Sequence, residues 1–240
     1  MTYETTQPDS SEAYFWAPPK PSRAKKAIPR RGRNHFSVFM TIGDHDGAGG
    51  YVSGCGSLGE YHTKVISLAE PDTIDVIEQV GPFPYQGPDG KTHGHFLDQL
   101  VIKADGRRLA MSDKPYANVT EDFCNELSQV RDYGVGRGLF TELFLVTEYA
   151  RDPIELFNAA LQRACRDADG EVDVRTLEVI DAMEEPATLG ELTDRIGFGP
   201  RSFRALVRCI RPGLIVMLKK EKIDRQTMVS KILLDAEVAQ

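Results

Sequence analysis

With 240 residues, 41% of them hydrophobic and 27% charged, the chain has the composition of a globular protein long enough for one large domain or two small ones. No apolar run approaches the ~20 residues that a bilayer span needs, and the opening MTYETTQPDSSEAYFWAPPKPS lacks the basic and apolar regions of a secretion signal, so a cytoplasmic protein with no membrane segment is expected. Cys55, Cys124, Cys165 and Cys209 form no CxxC pair, which argues against a zinc site and a disulfide framework, and the formal net charge of −7 conceals a very uneven distribution.

In chain order, residues 1 to about 22 are rich in Pro, Ser and Thr and read as a flexible arm or an extended surface segment, with Tyr14, Phe15 and Trp16 able to pin it. Lys20, Arg23, Lys25, Lys26, Arg30, Arg31 and Arg33 follow with no acidic residue among them, completing a basic arm over 1–34. Phe36 to Ile42 predicts a short strand, and the Gly-rich stretch to Gly56 a loop. Leu58, Tyr61, Val65 and Leu68 recur at helical spacing until Pro71. A meander is then expected: TIDVIEQV, FPYQGPDGKTHGHF around a PDG turn, DQLVIK, the ADGRR turn and RLAMSDK. A helix from about Glu121 to Tyr133, a strand in LFTELFLVT and a helix from Pro153 to about Cys165 complete an α/β layer over 35–167.

The turn-rich, charged RDADGEVD marks a boundary, and 168–240 form a second unit of short helices. Thr188 with Glu191 three residues on reads as a capping box, Gly197 ends that helix and Pro200 starts the next. Three helices followed by a basic, β-prone hairpin describe a winged helix-turn-helix, with any small helical bundle as the plainer alternative. Its basic residues Arg201, Arg204, Arg208, Lys219 and Lys220 fall on the third helix and the hairpin, where such a module meets DNA. Together with Lys25, Lys26, Arg30, Arg31 and Arg33 they are the candidate DNA contacts.

Four positions carry the candidate chemistry: Glu60 on the first helix, Asp98 in HFLDQLV, and Ser112 and Lys114 in LAMSDKP. Strand alternation puts Ser112 and Lys114 on one face and Asp113 on the other, and the ADGRR hairpin can set Asp98 beside them. Glu60 and Asp98 are expected to bind Mg²⁺ or Mn²⁺, which polarises a phosphate and activates water, with Lys114 as charge partner. His93 and His95, two residues apart and without obvious partners, are assigned no role.

The pieces AKKAIPRRGR, GSLGE, EPDTIDVIEQVGPFPY and HFLDQLVIKADGRRLAMSDKP resemble, in order, the KxPxR, ES-LLE, PDV…EEQP and H-x-x-DF-V…DGRR…(E/Q)-V-K-P elements of TnsA-type transposon endonucleases, over about half the chain. The resemblance implies a restriction-endonuclease-like PD-(D/E)xK nuclease, a mixed sheet flanked by helices with a C-terminal winged helix. It further implies Mg²⁺-dependent nicking of one strand of double-stranded DNA at a mobile-element end, beside a DDE-type transposase subunit and an ATPase regulator; a homodimer is also compatible. Three positions depart from the pattern: Gly56 stands where the family often has its first Glu, Gln99 replaces an aromatic, and Ser112 occupies the usual Glu or Gln position, where a hydroxyl would bind metal weakly or through water. The competing expectation is therefore a nuclease-fold DNA-binding protein that regulates or shapes DNA without cleaving it.

Overall fold

A computed structural model describes residues 18–28, 36–43 and 50–232. It is an α/β structure whose centre is a mixed four-stranded sheet, built from β3 (Thr73–Gln86), β4 (Thr92–Lys103), β5 (Arg108–Asp113) and β6 (Glu142–Val146) in that spatial order. β3, β4 and β5 pair antiparallel, and β6 joins β5 in parallel after the crossover helix α2 (Glu121–Gly136). Helices cover both faces. Val76, Val101 and Leu109 pack with Leu68 of α1 (Leu58–Ala69) on one face, while Leu100, Ala110 and Phe83 pack with Val130 of α2 and Phe140 on the other. α3 (Pro153–Ala164) lies on α1, and a small antiparallel pair, β1 (Val38–Ile42) with β2 (Tyr51–Cys55), sits beside β3. Among the described residues no helix is long and apolar enough to cross a membrane.

The C-terminal unit holds α4 (Gly170–Asp181), β7 (Ala187–Thr188), α5 (Leu189–Ile196), α6 (Pro200–Ile210), β8 (Ile215–Met217) and β9 (Met228–Lys231). Its strands form a sheet in the order β7-β9-β8 and enclose a separate core that includes Val172, Leu189, Leu192, Leu206, Ile215 and Val229. The local signals behave as expected. Thr188 and Glu191 make the reciprocal capping box, Gly197 takes the left-handed conformation (φ 91°) and Pro200 opens α6.

Three differences from the sequence expectation have physical causes. The Gly-rich YVSGC forms β2, because its backbone pairs with β1 over five residues despite weak side-chain patterning. TIDVIEQV and FPYQ are one strand rather than two: β3 runs through GPFP with a register shift between Val80 and Phe83, which an edge strand tolerates because a proline costs no inter-strand hydrogen bond on its open side. HGHF and DQLVIK likewise merge into β4. The two-residue β7 is the third difference, too short to carry a periodic signal.

The basic arm, where described, is extended and docked. Lys20 bridges to Tyr51 of β2, the Lys25 N–H donates to the Gln79 carbonyl (3.0 Å), and the Arg23 guanidinium grips Asp75 with two hydrogen bonds of 2.6 Å. Tyr14, Phe15, Trp16, Arg30, Arg31 and Arg33 lie outside the described residues.

Candidate active site

Glu60 enters the site from the first turn of α1. Ser57 caps that helix by accepting from the Glu60 N–H (3.1 Å), and the Glu60 carboxylate reaches back to accept from the Gly56 N–H (2.8 Å). This local bond fixes the carboxylate over the helix start, where the helix dipole favours negative charge.

Asp98 arrives from β4. Its Oδ2 accepts from the backbone N–H of Asp113 (2.7 Å), at the end of neighbouring β5. Gln79 joins the two acids: its Nε2 donates to Asp98 Oδ1 at 3.2 Å and lies 3.4 Å from Glu60 Oε2. Gln79 has a positive φ of 47°, a conformation that costs a non-glycine residue about 1–3 kcal/mol and that persists only where its surroundings impose it. Here the surroundings are the arm, bonded to the Gln79 carbonyl, and the two carboxylates on its side chain.

The electrostatic result is a carboxyl short of positive charge. Burial and then the Glu60 charge push Asp98 up from 3.8 to about 7, and the Asp113 N–H and Gln79 offset this only in part. Asp113 is also raised, by burial, and its Oδ1 is held on both sides: Thr63 of α1 donates to it (2.7 Å) and Arg151, just before α3, pairs with it and with Thr63, while the buried Oδ2 has no partner among the described residues.

Behind Glu60 lies a buried polar chain. Lys64, one helical turn on and 1% exposed, donates to Ser53 Oγ and the Gly54 carbonyl, both at 2.7 Å. Ser53 in turn donates to buried Glu78 (2.9 Å), which also accepts from Ser22 of the arm (2.5 Å). Burial pushes the adjacent Cys55 thiol up to about 11, so it is not a poised thiolate.

The sequence-predicted residues divide accordingly. Glu60 and Asp98 are brought together. Ser112 is buried but contributes no hydrogen bond to either acid, and the Lys114 ammonium rests over the Phe123 ring of α2 at 4.4 Å from its centroid, with no ion pair among the described residues. Asp113 and Lys114 do face opposite sides of the sheet, one toward α1 and the other toward α2. His95 pairs with Glu126 (2.6 Å) and His93 with Asp89 (2.8 Å). Gln79, Lys64, Glu78 and Arg151 do not stand out by residue type or spacing, although Glu78 and Gln79 sit in the IEQ of the stretch EPDTIDVIEQV.

The candidate DNA contacts are mostly engaged within the chain. Arg201 bonds Asp169 (2.8 Å) and Glu171 (3.2 Å), Arg204 donates to the Ala164 carbonyl (2.6 Å), and Arg208 pairs with Asp173 and donates to the Cys165 carbonyl (2.9 Å). Lys220 pairs with Asp152 (2.7 Å) and Glu155 (2.5 Å). Lys219 is exposed with no such partner among the described residues, and Lys25 and Lys26 are exposed on the arm, with the Lys26 ammonium near the Phe96 ring.

Among the described residues no three His, Cys, Asp or Glu side chains converge as a ready metal cage. The Glu60–Asp98 pair still fits one hard divalent ion: an oxygen of each carboxylate converges on the Gln79 amide, burial and the Glu60 charge raise the cost of charging Asp98, and Mg²⁺ usually takes only one or two protein carboxylates, with water and phosphate completing its shell. No protein-family model and no curated protein matches the sequence.

Proposed function

We propose that the chain is a metal-dependent DNA endonuclease of TnsA type that nicks one strand of duplex DNA at a mobile-element end. The observation that carries this reading is the convergence of the Glu60 and Asp98 carboxylates on the Gln79 amide, with Asp98 pushed up to about 7 by burial and then by the Glu60 charge. The mixed sheet between α1 and α2 supports a restriction-endonuclease-like core, and three helices closed by the β8–β9 hairpin support a winged helix. Glu60 and Asp98 would hold Mg²⁺ or Mn²⁺, which when bound polarises the scissile phosphate and lowers the pKa of its water. Gln79 and the Asp113 N–H keep the two Asp98 oxygens oriented, and on binding an ion Asp98 would give its proton to solvent. Lys114, at the end of the adjacent strand, would swing from the Phe123 ring around the strand end to supply charge to the phosphate. The arm lysines Lys25 and Lys26 and the hairpin's Lys219 contact the DNA backbone. A DDE-type transposase subunit and an ATPase regulator are the proposed partners, with a homodimer as a further assembly.

Plasmid nicking tests this reading. Supercoiled DNA is expected to relax with Mg²⁺ or Mn²⁺ and not with chelator, and Asp98→Ala, Glu60→Ala and Lys114→Ala are each expected to abolish it. The assay is repeated with the transposase subunit present, so that a partner-dependent enzyme is seen.

Two observations favour a second reading, a nuclease-fold DNA-binding protein that does not cleave: the Lys114 ammonium sits on Phe123 rather than beside the carboxylates, and Ser112 offers them no ligand. On that reading nicking is absent under every condition, and Asp98→Ala leaves DNA affinity unchanged or improved because one repulsive charge has gone.

A further inference from the structure

β5 and β6 are parallel and end together, at Asp113 and Val146, and each runs on into a single 3-10 turn that presents a tyrosine. Tyr116 is 61% exposed and Tyr149 78%, the highest exposures among the large apolar and aromatic side chains of the described residues. They meet edge to face, with ring centroids 5.4 Å apart and planes at 78°. Two aromatic rings left in water at one spot are an unusual expense for a folded chain, and the pair is held in place: the Tyr116 N–H donates to Glu148 (2.8 Å) and the Lys114 N–H to the Val146 carbonyl (2.9 Å).

The position is as informative as the exposure. Ligands of sheets with parallel strands gather at the carboxyl ends of those strands. Tyr116 is three residues past Asp113, whose N–H holds Asp98, and Tyr149 is two before Arg151, which holds the Asp113 carboxylate. Lys114, between Asp113 and Tyr116 in sequence, carries a positive charge with no acidic partner among the described residues. Lys114 is two residues in sequence from Tyr116, its ammonium resting over Phe123, and a cation within a side chain's reach of exposed rings is the combination that grips single-stranded nucleic acid, the charge meeting a phosphate and the rings stacking on a base. The nearby Glu148 carboxylate is occupied by the Tyr116 N–H.

We propose that Tyr116 and Tyr149 form a stacking platform for one unpaired nucleobase next to the Glu60–Asp98 pair. The occupant is a base unstacked or frayed from the duplex beside the cut, so the proposal rests on the nuclease reading for its location, though not for its test. The edge-to-face pair offers one open ring face, and every base has a face to set against it, so the platform is tolerant of sequence.

The test uses the full chain in chelator, where no cutting occurs, and short duplexes that carry one unpaired 2-aminopurine or none. Wild type is expected to quench the unpaired probe. Tyr149→Ala and Tyr116→Ala are each expected to weaken binding of that probe by roughly 5- to 100-fold and remove the quench, while fully paired DNA binds within about twofold of wild type. Tyr149→Phe is expected to keep both, because stacking needs the ring and not the hydroxyl. Both tyrosines are exposed, so the variants' melting temperatures are expected to match wild type; should Tyr116→Ala fail to fold, Tyr149→Ala decides alone. Wild-type binding and quenching in the alanine variants overturns the platform, as does absence of quench in wild type. The two readings separate in wild type: a chain that quenches in chelator but does not nick with Mg²⁺ or Mn²⁺ refers the failure to the nuclease reading, and one that nicks without quenching refers it to the platform.

Discussion

Replacing Asp98 by Asn removes one charge from a pair that repels, and its effect on stability has a defined pH dependence. The rise of Asp98 from 3.8 to about 7 corresponds to roughly 4 kcal/mol at ~1.4 kcal/mol per tenfold in affinity, and solvent reaching this part-buried carboxyl reduces that to roughly 2 kcal/mol. Because the folded value lies above the unfolded one, the folded state holds the proton more tightly. The carboxyl then costs nothing below about pH 4, progressively more up to about pH 7, and its full amount above that. Asn keeps an oxygen for the Asp113 N–H, and the Gln79 amide can turn its carbonyl toward the new NH₂. Asp98→Asn is therefore expected to melt about 4–8 °C above wild type near pH 8 and level with it near pH 4, by calorimetry over that range. Millimolar Mg²⁺ is expected to raise the wild-type melting temperature near pH 8 and leave the variant unmoved, since the ion supplies the charge the mutation made unnecessary. A stabilisation of equal size at both pH values would refute the reasoning, because only the charged form is strained.

The C-terminal unit gives a complementary expectation. Arg208→Ala breaks the pair with Asp173 and the bond to the Cys165 carbonyl in a part-buried setting, and is expected to cost about 1–3 kcal/mol in urea unfolding without changing the salt dependence of DNA binding. Lys219→Ala is expected to do the reverse, leaving unfolding unchanged and lowering the slope of log affinity against log salt by about 0.9, one phosphate contact. On α2, a Cβ added at Gly134 would stand 2.1 Å from the Phe140 ring, so Gly134→Ala is expected to cost about 1–3 kcal/mol, with Phe140→Leu in the same chain restoring part of it; equal melting temperatures for Gly134→Ala and wild type would contradict that packing. Thr188→Ala, which removes the hydroxyl that accepts from the Glu191 N–H and leaves the residue-188 N–H to donate to the Glu191 carboxylate, is expected to cost about 1 kcal/mol in the same measurement.

What could be read from sequence follows the range over which each signal acts. The capping box at Thr188, the left-handed Gly197, Pro200 at the start of α6 and the ADGRR turn are set by residues within a few positions of one another, and each is where it was expected. β2 and the continuity of β3 depend on partners far away in the chain: YVSGC becomes a strand because β1 lies beside it, and GPFP stays in a strand because β3 lies at the sheet edge. The arginines of α6 show the same limit from the electrostatic side. Their spacing along one helix reads as a basic surface, but the acids and carbonyls that take them, Asp169, Asp173, Ala164 and Cys165, come from the end of α3 and the start of α4, and only the packing of α6 against those elements reveals that the charge is spent internally.

The candidate site shows how an alternation argument can be right and still place the emphasis on the wrong atoms. Asp113 faces α1 and Lys114 faces α2, as the period of two requires. Yet what β5 gives to Asp98 is the backbone N–H of Asp113, a group that any residue except proline supplies, so Ser112 is not needed to orient that acid. The orienting side chain is Gln79, which reaches Asp98 because β3 is bent at a positive φ where the docked arm bonds its carbonyl. Replacing Gln79 by Gly would keep the bend and lose the amide, whereas replacing it by Val would lose both, since a β-branched residue resists positive φ. The arm, β3 and the carboxylate pair are thus linked through Gln79, whose hydrogen bond favours the charged form of Asp98, although burial and the Glu60 charge outweigh it.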